Sequence, residues 1–156
     1  MKITIVAVGL KQPTWAEEAV KDYLSRFPSD WKVELKTVKA EDRTSKKPIA
    51  RIMELEAERI RNALPKNAFL VILDERGKDL TSVALAQQLQ TWDNQGEHIA
   101  FVIGGADGID PSLKSEGQFM LRLSSLTLPH AFVRVMVAEQ LYRSWSLLHN
   151  HPYHRA

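Results

Sequence analysis

Three stretches of the chain hold residues whose types and spacing could do chemistry. The first is the terminal run His149-Asn150-His151-Pro152-Tyr153-His154-Arg155-Ala156, which holds three of the chain's five histidines with a tyrosine and an arginine. Imidazole and phenol move protons and stack on bases, and a guanidinium grips a phosphate or a base edge, so Tyr153, His154 and Arg155 suit recognition of a nucleotide. Metal binding is the alternative chemistry, but no carboxylate accompanies these histidines and their alternating spacing matches known ligand patterns poorly. Polar residues at a terminus are also ordinary. The second stretch is Gly104-Gly105 with Asp107-Gly108 just after. A glycine pair directly after a buried strand permits positive φ and lets a ligand approach the backbone, although Asp-Gly is also plain turn chemistry. The third is Leu123, Ser124, Ser125, Leu126, Thr127 and Leu128, half apolar where a loop is expected. Its leucines could wall an adenine ring while backbone and hydroxyl groups bond the ring edge. A strand end followed by a capping segment is the blander reading.

What is missing narrows the chemistry. The chain has no cysteine, which removes disulfides, thiolate metal sites and any thiol nucleophile, and favours a cytoplasmic setting. The first apolar run ends Val8-Gly9-Leu10-Lys11, without the G-x-G-x-x-G fingerprint that places a pyrophosphate on a helix N-terminus. No lysine follows a glycine loop in the Walker manner. A phosphate-rich cofactor is therefore disfavoured, and a smaller adenosine-type ligand held by backbone groups is not. A net charge of +2 falls short of a basic nucleic-acid module. RNA binding would need local clustering of charge or a dimer that doubles the field. The segment 36–51 is the most polar, with Lys36, Lys39, Arg43, Lys46, Lys47 and Arg51 against Glu41 and Asp42. It reads as an exposed loop entering a helix, or as a basic arm for phosphate contact.

The elements that must position these groups alternate from end to end. Residues 3–8 form a short apolar run closed by Gly9, a buried-strand signature. A helix is expected from Pro13 to about Phe27. Val33, Leu35 and Val38 mark a second strand with one wet face, and Ile52, Leu55, Ile60 and Leu64 carry the next helix. Residues 68–73 are continuously apolar, as in a parallel strand buried on both faces, and end in a turn at residues 74–78. Thr81 or Ser82 caps a helix through Trp92. Residues 99–103 are another buried strand, Asp110-Pro111 opens a short helix, residues 119–123 a last strand, and Pro129 the final helix to about Leu148. This alternation predicts one α/β domain over residues 1–156, with a mainly parallel sheet covered by helices. Ligands in such sheets bind where loops leave the carboxyl ends of the strands, which selects the loops after Leu73 and Ile103 and the loop 123–128. The final helix is apolar nearly all round, so it must be covered on more than one side. A second subunit is the cover expected in so small a domain. Arg134, Glu139 and Arg143 interrupt its apolar surface, with Glu139 and Arg143 at pairing distance along the helix. No signal-peptide pattern opens the chain, and no apolar run approaches the roughly 18 residues of a membrane helix.

Four segments together resemble one family. They are Ile103-Gly104-Gly105-Ala106-Asp107-Gly108, Leu123-Ser124-Ser125-Leu126-Thr127-Leu128-Pro129-His130, the run from Arg134 to Arg143, and His151-Pro152-Tyr153-His154-Arg155. In order and at the end of the chain, they are similar to the ribosomal RNA large subunit methyltransferase H family of SPOUT enzymes. Those enzymes methylate N3 of a pseudouridine in 23S rRNA. The likeness extends over the whole chain, including its opening and Leu73-Asp74 to Gly77-Lys78, and is weakest over residues 42–51. The last position varies in the family, so Ala156 fits. The resemblance implies an α/β fold with a deep C-terminal trefoil knot, an exception to unknotted topology, and a homodimer. It implies S-adenosylmethionine held by Leu73, Gly104 and residues 123–128. Tyr153, His154 and Arg155 would face ribosomal RNA in the large subunit or the assembled ribosome, with no metal and no membrane partner. With no thiol available, proton removal from the acceptor nitrogen would fall to His154 or Tyr153, with Arg155 steadying the anion. The residues alone leave open another nucleotide-binding α/β enzyme and a ribosome-binding module without catalysis.

Overall fold

The computed structural model describes residues 1–44 and 46–155; Ala156, and Ser45 inside the polar segment, lie outside them. The elements run β1 (Lys2–Val8), α1 (Thr14–Ser25), β2 (Lys32–Val38), α2 (Ile49–Ala63), β3 (Phe69–Asp79), α3 (Ser82–Asn94), β4 (His98–Ile103), α4 (Pro111–Lys114), β5 (Phe119–Arg122) and α5 (His130–Leu148), with a 3-10 turn at Pro152–His154. The five strands form one sheet in the order β2-β1-β4-β3-β5, and every pairing is parallel.

Alternation along the central strands divides the core into two layers. Ile3, Ile5 and Ala7 of β1 with Ile99, Phe101 and Ile103 of β4 face Leu85, Leu89 and Trp92 of α3 and Val137 and Leu141 of α5. Val6, Val8, Ala100 and Val102 face the other way, onto Ala57 and Ile60 of α2 and Leu113 of α4. Both faces of β1 and β4 are thus covered, which is why these strands read as unbroken apolar runs. Local chemistry sets the helix starts: the Thr81 hydroxyl accepts from Ala84 N–H, and Asp110 accepts from Ser112 N–H ahead of Pro111.

Two sequence expectations change. The turn expected at residues 74–78 is an excursion within a strand: β3 continues to Asp79, and both Leu73 and Lys78 register against Leu121 of β5. Residues 74–77 bulge out, and Gly77 brings the strand back so close that an added Cβ would lie 2.5 Å from the Leu121 carbonyl carbon and 2.7 Å from Arg122 N. Pairing with β5, far away in sequence, decides this. The second change concerns Arg134 in α5. The helix packs against α1, α3 and the 3-10 turn, and Arg134, expected as a surface interruption, is only 4% exposed. Its guanidinium donates to the Val8 and Gly9 carbonyls at 2.9 and 2.6 Å, tying off the end of β1. Burial pulls Arg134 below its ordinary pKa, with Glu17 opposing.

Candidate functional site

At the carboxyl ends of β3, β4 and β5, three loops enclose a cavity of about 690 Å³. Leu73, Gly104 and the whole loop 123–128 line it, so every residue expected to hold a cofactor is brought to one place. The volume suits a nucleoside-sized ligand. The loop 123–128 lies outside helix and strand, so no ladder consumes its backbone groups; Leu126 N–H donates to the Ser124 hydroxyl at 2.9 Å. Leu126 itself is 76% exposed, an apolar side chain standing free at the cavity. His130, in the first turn of α5, also lines the cavity, with its Nε2 donating to the Val8 carbonyl at 3.1 Å.

The glycine pair works differently from its expected role. Neither Gly104 nor Gly105 takes a positive φ; Gly108 does, at 87°. Close packing is what requires them. An added Cβ would lie 2.6 Å from Ile109 Cγ1 at Gly104, and 2.7 Å from Glu56 Oε1 at Gly105. A bridge joins Gly105 to Gly108 and closes the turn.

Two ion-pair arrangements support the cavity wall, one within its lining and one behind it, and the sequence pattern singled out neither. Asp74, at the start of the excursion in β3, accepts from Lys114 Nζ at 2.6 Å and from Arg76 N–H at 2.8 Å. Burial pushes the Asp74 carboxyl up, but these hydrogen bonds and charges outweigh it and hold the group below its ordinary value. On the other side, Arg43 reaches out of the polar segment to Glu56 at 2.9 Å and to Asp107 of the glycine turn at 3.0 Å. Glu56 is 2% exposed and also accepts from Glu41 N–H. Its hydrogen bond, foremost, holds the Arg43 guanidinium above its ordinary value. Arg43 therefore braces the cavity turn against α2, a role that neither an exposed loop nor a phosphate arm predicts. The ion pairs join residues remote in sequence, so no local signal could have found them.

Tyr153, His154 and Arg155 do not line this cavity in the same chain. Asn150, at a positive φ of 54°, reverses the chain after α5, and the tail folds back onto the helix. Tyr153 enters an aromatic cluster with Tyr142 and Tyr23 and donates to Glu139 Oε1 at 3.0 Å. Arg143 grips the same carboxylate at 2.6 Å, the pair expected from helical spacing. Burial first, then the contacts with Tyr23 and Glu139, push the Tyr153 phenol well above its ordinary value. It stays protonated, as a hydrogen-bond donor. His154 Nδ1 lies 2.7 Å from the hydroxyl of buried Ser146. Its ring lines a second cavity with Gln140, Arg143 and the start of α3. Arg155 is exposed.

Comparisons with known proteins place the chain in a family. A family model described as "Predicted SPOUT methyltransferase" matches residues 1–154. Proteins named ribosomal RNA large subunit methyltransferase H are similar along their full length. The one from Ralstonia pickettii is 56% identical, covering 99% of both chains. That from Burkholderia thailandensis is 54% identical over 100% of both, and that from Neisseria meningitidis serogroup C is 56% identical over 99% of both.

Proposed function

The chain belongs to the SPOUT methyltransferase family, and from that premise we propose that it transfers a methyl group from S-adenosylmethionine to N3 of a pseudouridine in 23S rRNA of the large ribosomal subunit. The observation that carries this is the convergence of Leu73, Gly104 and the loop 123–128 on one cavity of nucleoside size.

The residues present fit the cofactor. Leucine side chains offer apolar walls for a purine, and the loop backbone outside the sheet offers donors and acceptors for its edge. Asp74, held ionised at the wall by Lys114, fixes the start of the excursion that borders the cavity. When bound, the cofactor supplies an activated methyl group on a sulfonium, and the protein's task is alignment. The acceptor imide nitrogen carries a proton at neutral pH, which His154 removes while Arg155 steadies the developing anion or holds a phosphate. Tyr153, fixed on Glu139 and against Tyr142, orients the tail.

Cavity and tail lie apart in one chain, so this chemistry takes the tail from a second copy. A homodimer is supported by the exposed pair Trp15 and Phe132, 48% and 46% exposed with ring centroids 4.8 Å apart. Leu10 and Leu126 are further exposed apolar groups in loops leaving the carboxyl ends of strands. We take residues 1–156 as one domain, its single sheet flanked by helices, with a trefoil knot at the cavity loops. Among the described residues no helix is long and apolar enough to cross a membrane; acting on ribosomes, the protein would work in the cytoplasm. Mass spectrometry of 23S rRNA from cells lacking the protein tests the proposal. One pseudouridine loses its N3-methyl group and regains it when the gene is restored; an unchanged nucleotide profile refutes the reading.

A further inference from the structure

We propose that Ser146 is a positioning residue that keeps the ring proton of neutral His154 on Nδ1 and so presents Nε2 as the open, proton-accepting nitrogen. The inference rests on the assignment of the tail to proton removal. Ser146 sits near the end of α5 with 0% exposure, a polar side chain in the interior. It is also where the tail is fastened. Its carbonyl accepts from His151 N–H at 2.9 Å. Its hydroxyl lies 2.8 Å from the His151 carbonyl oxygen and 2.7 Å from His154 Nδ1.

Counting protons decides the tautomer. A serine hydroxyl has one proton to give and lone pairs to receive with. The His151 carbonyl can only accept, so the Ser146 proton goes there. His154 Nδ1 must then donate to the Ser146 oxygen. The reverse arrangement would set lone pair against lone pair and leave a buried acceptor unsatisfied, at a cost of about 1–3 kcal/mol. With the proton held on Nδ1, the neutral ring carries its lone pair on Nε2, because the partner of one nitrogen sets the state of the other. The surroundings do not compete for that role. From α5, Gln140 accepts from Ser82 through Oε1 at 2.7 Å, and Arg143, the charged group lining the His154 cavity, is bound to Glu139. The start of α3 contributes Thr81, Ser82 and Val83, none of which carries a charge.

Long-range proton–nitrogen correlation spectra of the isotope-labelled full chain test this directly, with the His154 ring assigned by its disappearance in His154→Gln. The expected pattern is Nδ1–H; an Nε2–H pattern in the unaltered chain overturns the proposal. In Ser146→Ala the ring shifts toward Nε2–H. Then kcat for methyl transfer to ribosomes falls about ten-fold, less than the roughly 10²–10⁴-fold of losing the base outright because the imidazole itself remains, while KM for S-adenosylmethionine is unchanged. An unchanged kcat despite a shifted tautomer overturns the proposal, as does a loss confined to KM. If the unaltered chain transfers no methyl group at all, the functional reading fails instead, and the spectrum still decides the tautomer.

Discussion

The cavity at the carboxyl edge of the sheet and the tail folded on α5 hold their residues by different means. The cavity is shaped first by backbone, with glycines pressed against neighbours, a bulge in β3 and a loop bearing an exposed leucine, and is braced by the Asp74–Lys114 and Arg43–Asp107 ion pairs. Its tolerance is steric, and a single added methyl group is felt. The tail is held by a main-chain bond from His151 N–H to the Ser146 carbonyl and by side-chain hydrogen bonds from Tyr153 to Glu139 and from His154 to Ser146. Binding a cofactor demands shape, whereas moving a proton demands a donor or acceptor in the right state. The two regions should therefore fail separately.

The largest separation comes from deleting residues 153–156. Methyl transfer to ribosomes should fall about 10²–10⁴-fold, the range of a lost general base, while calorimetry finds S-adenosylmethionine bound as before. Full activity would dismiss the tail from the chemistry, and lost cofactor binding would merge the two regions into one. The reverse separation comes from Gly77→Ala. Its Cβ would meet the backbone of Leu121 and Arg122, which cannot rotate away, so the excursion carrying Asp74 to the cavity must shift. Thermal unfolding should show a loss of about 1–3 kcal/mol, as for overpacking. Cofactor affinity falls with it, while the His154 tautomer spectrum stays unchanged. Wild-type affinity in this variant would show that the bulge does not shape the pocket.

The two regions were also unequally legible in the sequence. Strand-end logic picked out the loops after Leu73 and Ile103 and the loop 123–128, because apolar runs and the residues that end them are local signals and parallel sheets place ligands at strand ends; the assignment of Leu73, Gly104 and residues 123–128 to a cofactor came from the resemblance. For the glycine pair one of two expected reasons fails: neither residue needs a positive φ, and close packing on Ile109 and Glu56 excludes a side chain at both, while both line the cavity where a ligand could approach the backbone. The role of the tail was legible only through resemblance, since histidines at a terminus have many ordinary uses. Ser146 gave no signal, being a small residue on an apolar helix whose partners arrive only after Asn150 turns the chain back. The same physics hid the extension of β3 to Asp79 and the reach of Arg43, which depend on pairings remote in sequence. Within the chain α5 is covered by α1, α3 and the tail, contacts that no local pattern announces.

Arg43 offers a milder probe of the cavity side. Arg43→Ala leaves Glu56, 2% exposed, with only the Glu41 N–H as donor, and a buried acceptor short of a partner costs about 1–2 kcal/mol. Denaturant unfolding of Arg43→Ala, Glu56→Gln and the double variant should show the two changes coupled rather than additive. Additive losses would mean that the pair does not act as one brace. Because Arg43 also holds Asp107, cofactor affinity should weaken modestly, with the tail again unaffected.

The smallest effect expected is one of pH, and it too belongs to the cavity alone. The folded Asp74 carboxyl lies below its ordinary value of 3.8, since Lys114 and Arg76 N–H outweigh the burial that would raise it. A group depressed on folding is deprotonated in the native state while the unfolded chain still binds its proton. Its contribution is therefore complete above the unfolded value and is lost as pH falls through the folded one. Unfolding free energy measured from pH 6 downward should thus drop more steeply below about pH 4 in the unaltered chain than in Asp74→Asn, by about 1 kcal/mol, a charge-assisted bond discounted for the part-exposed lysine. Above that range Asp74→Asn should be the less stable of the two, because Lys114 then faces a neutral amide. Parallel curves at all pH values would mean that Lys114 gives Asp74 no net stabilisation. Asp74 would then remain a part of the cavity wall by position only.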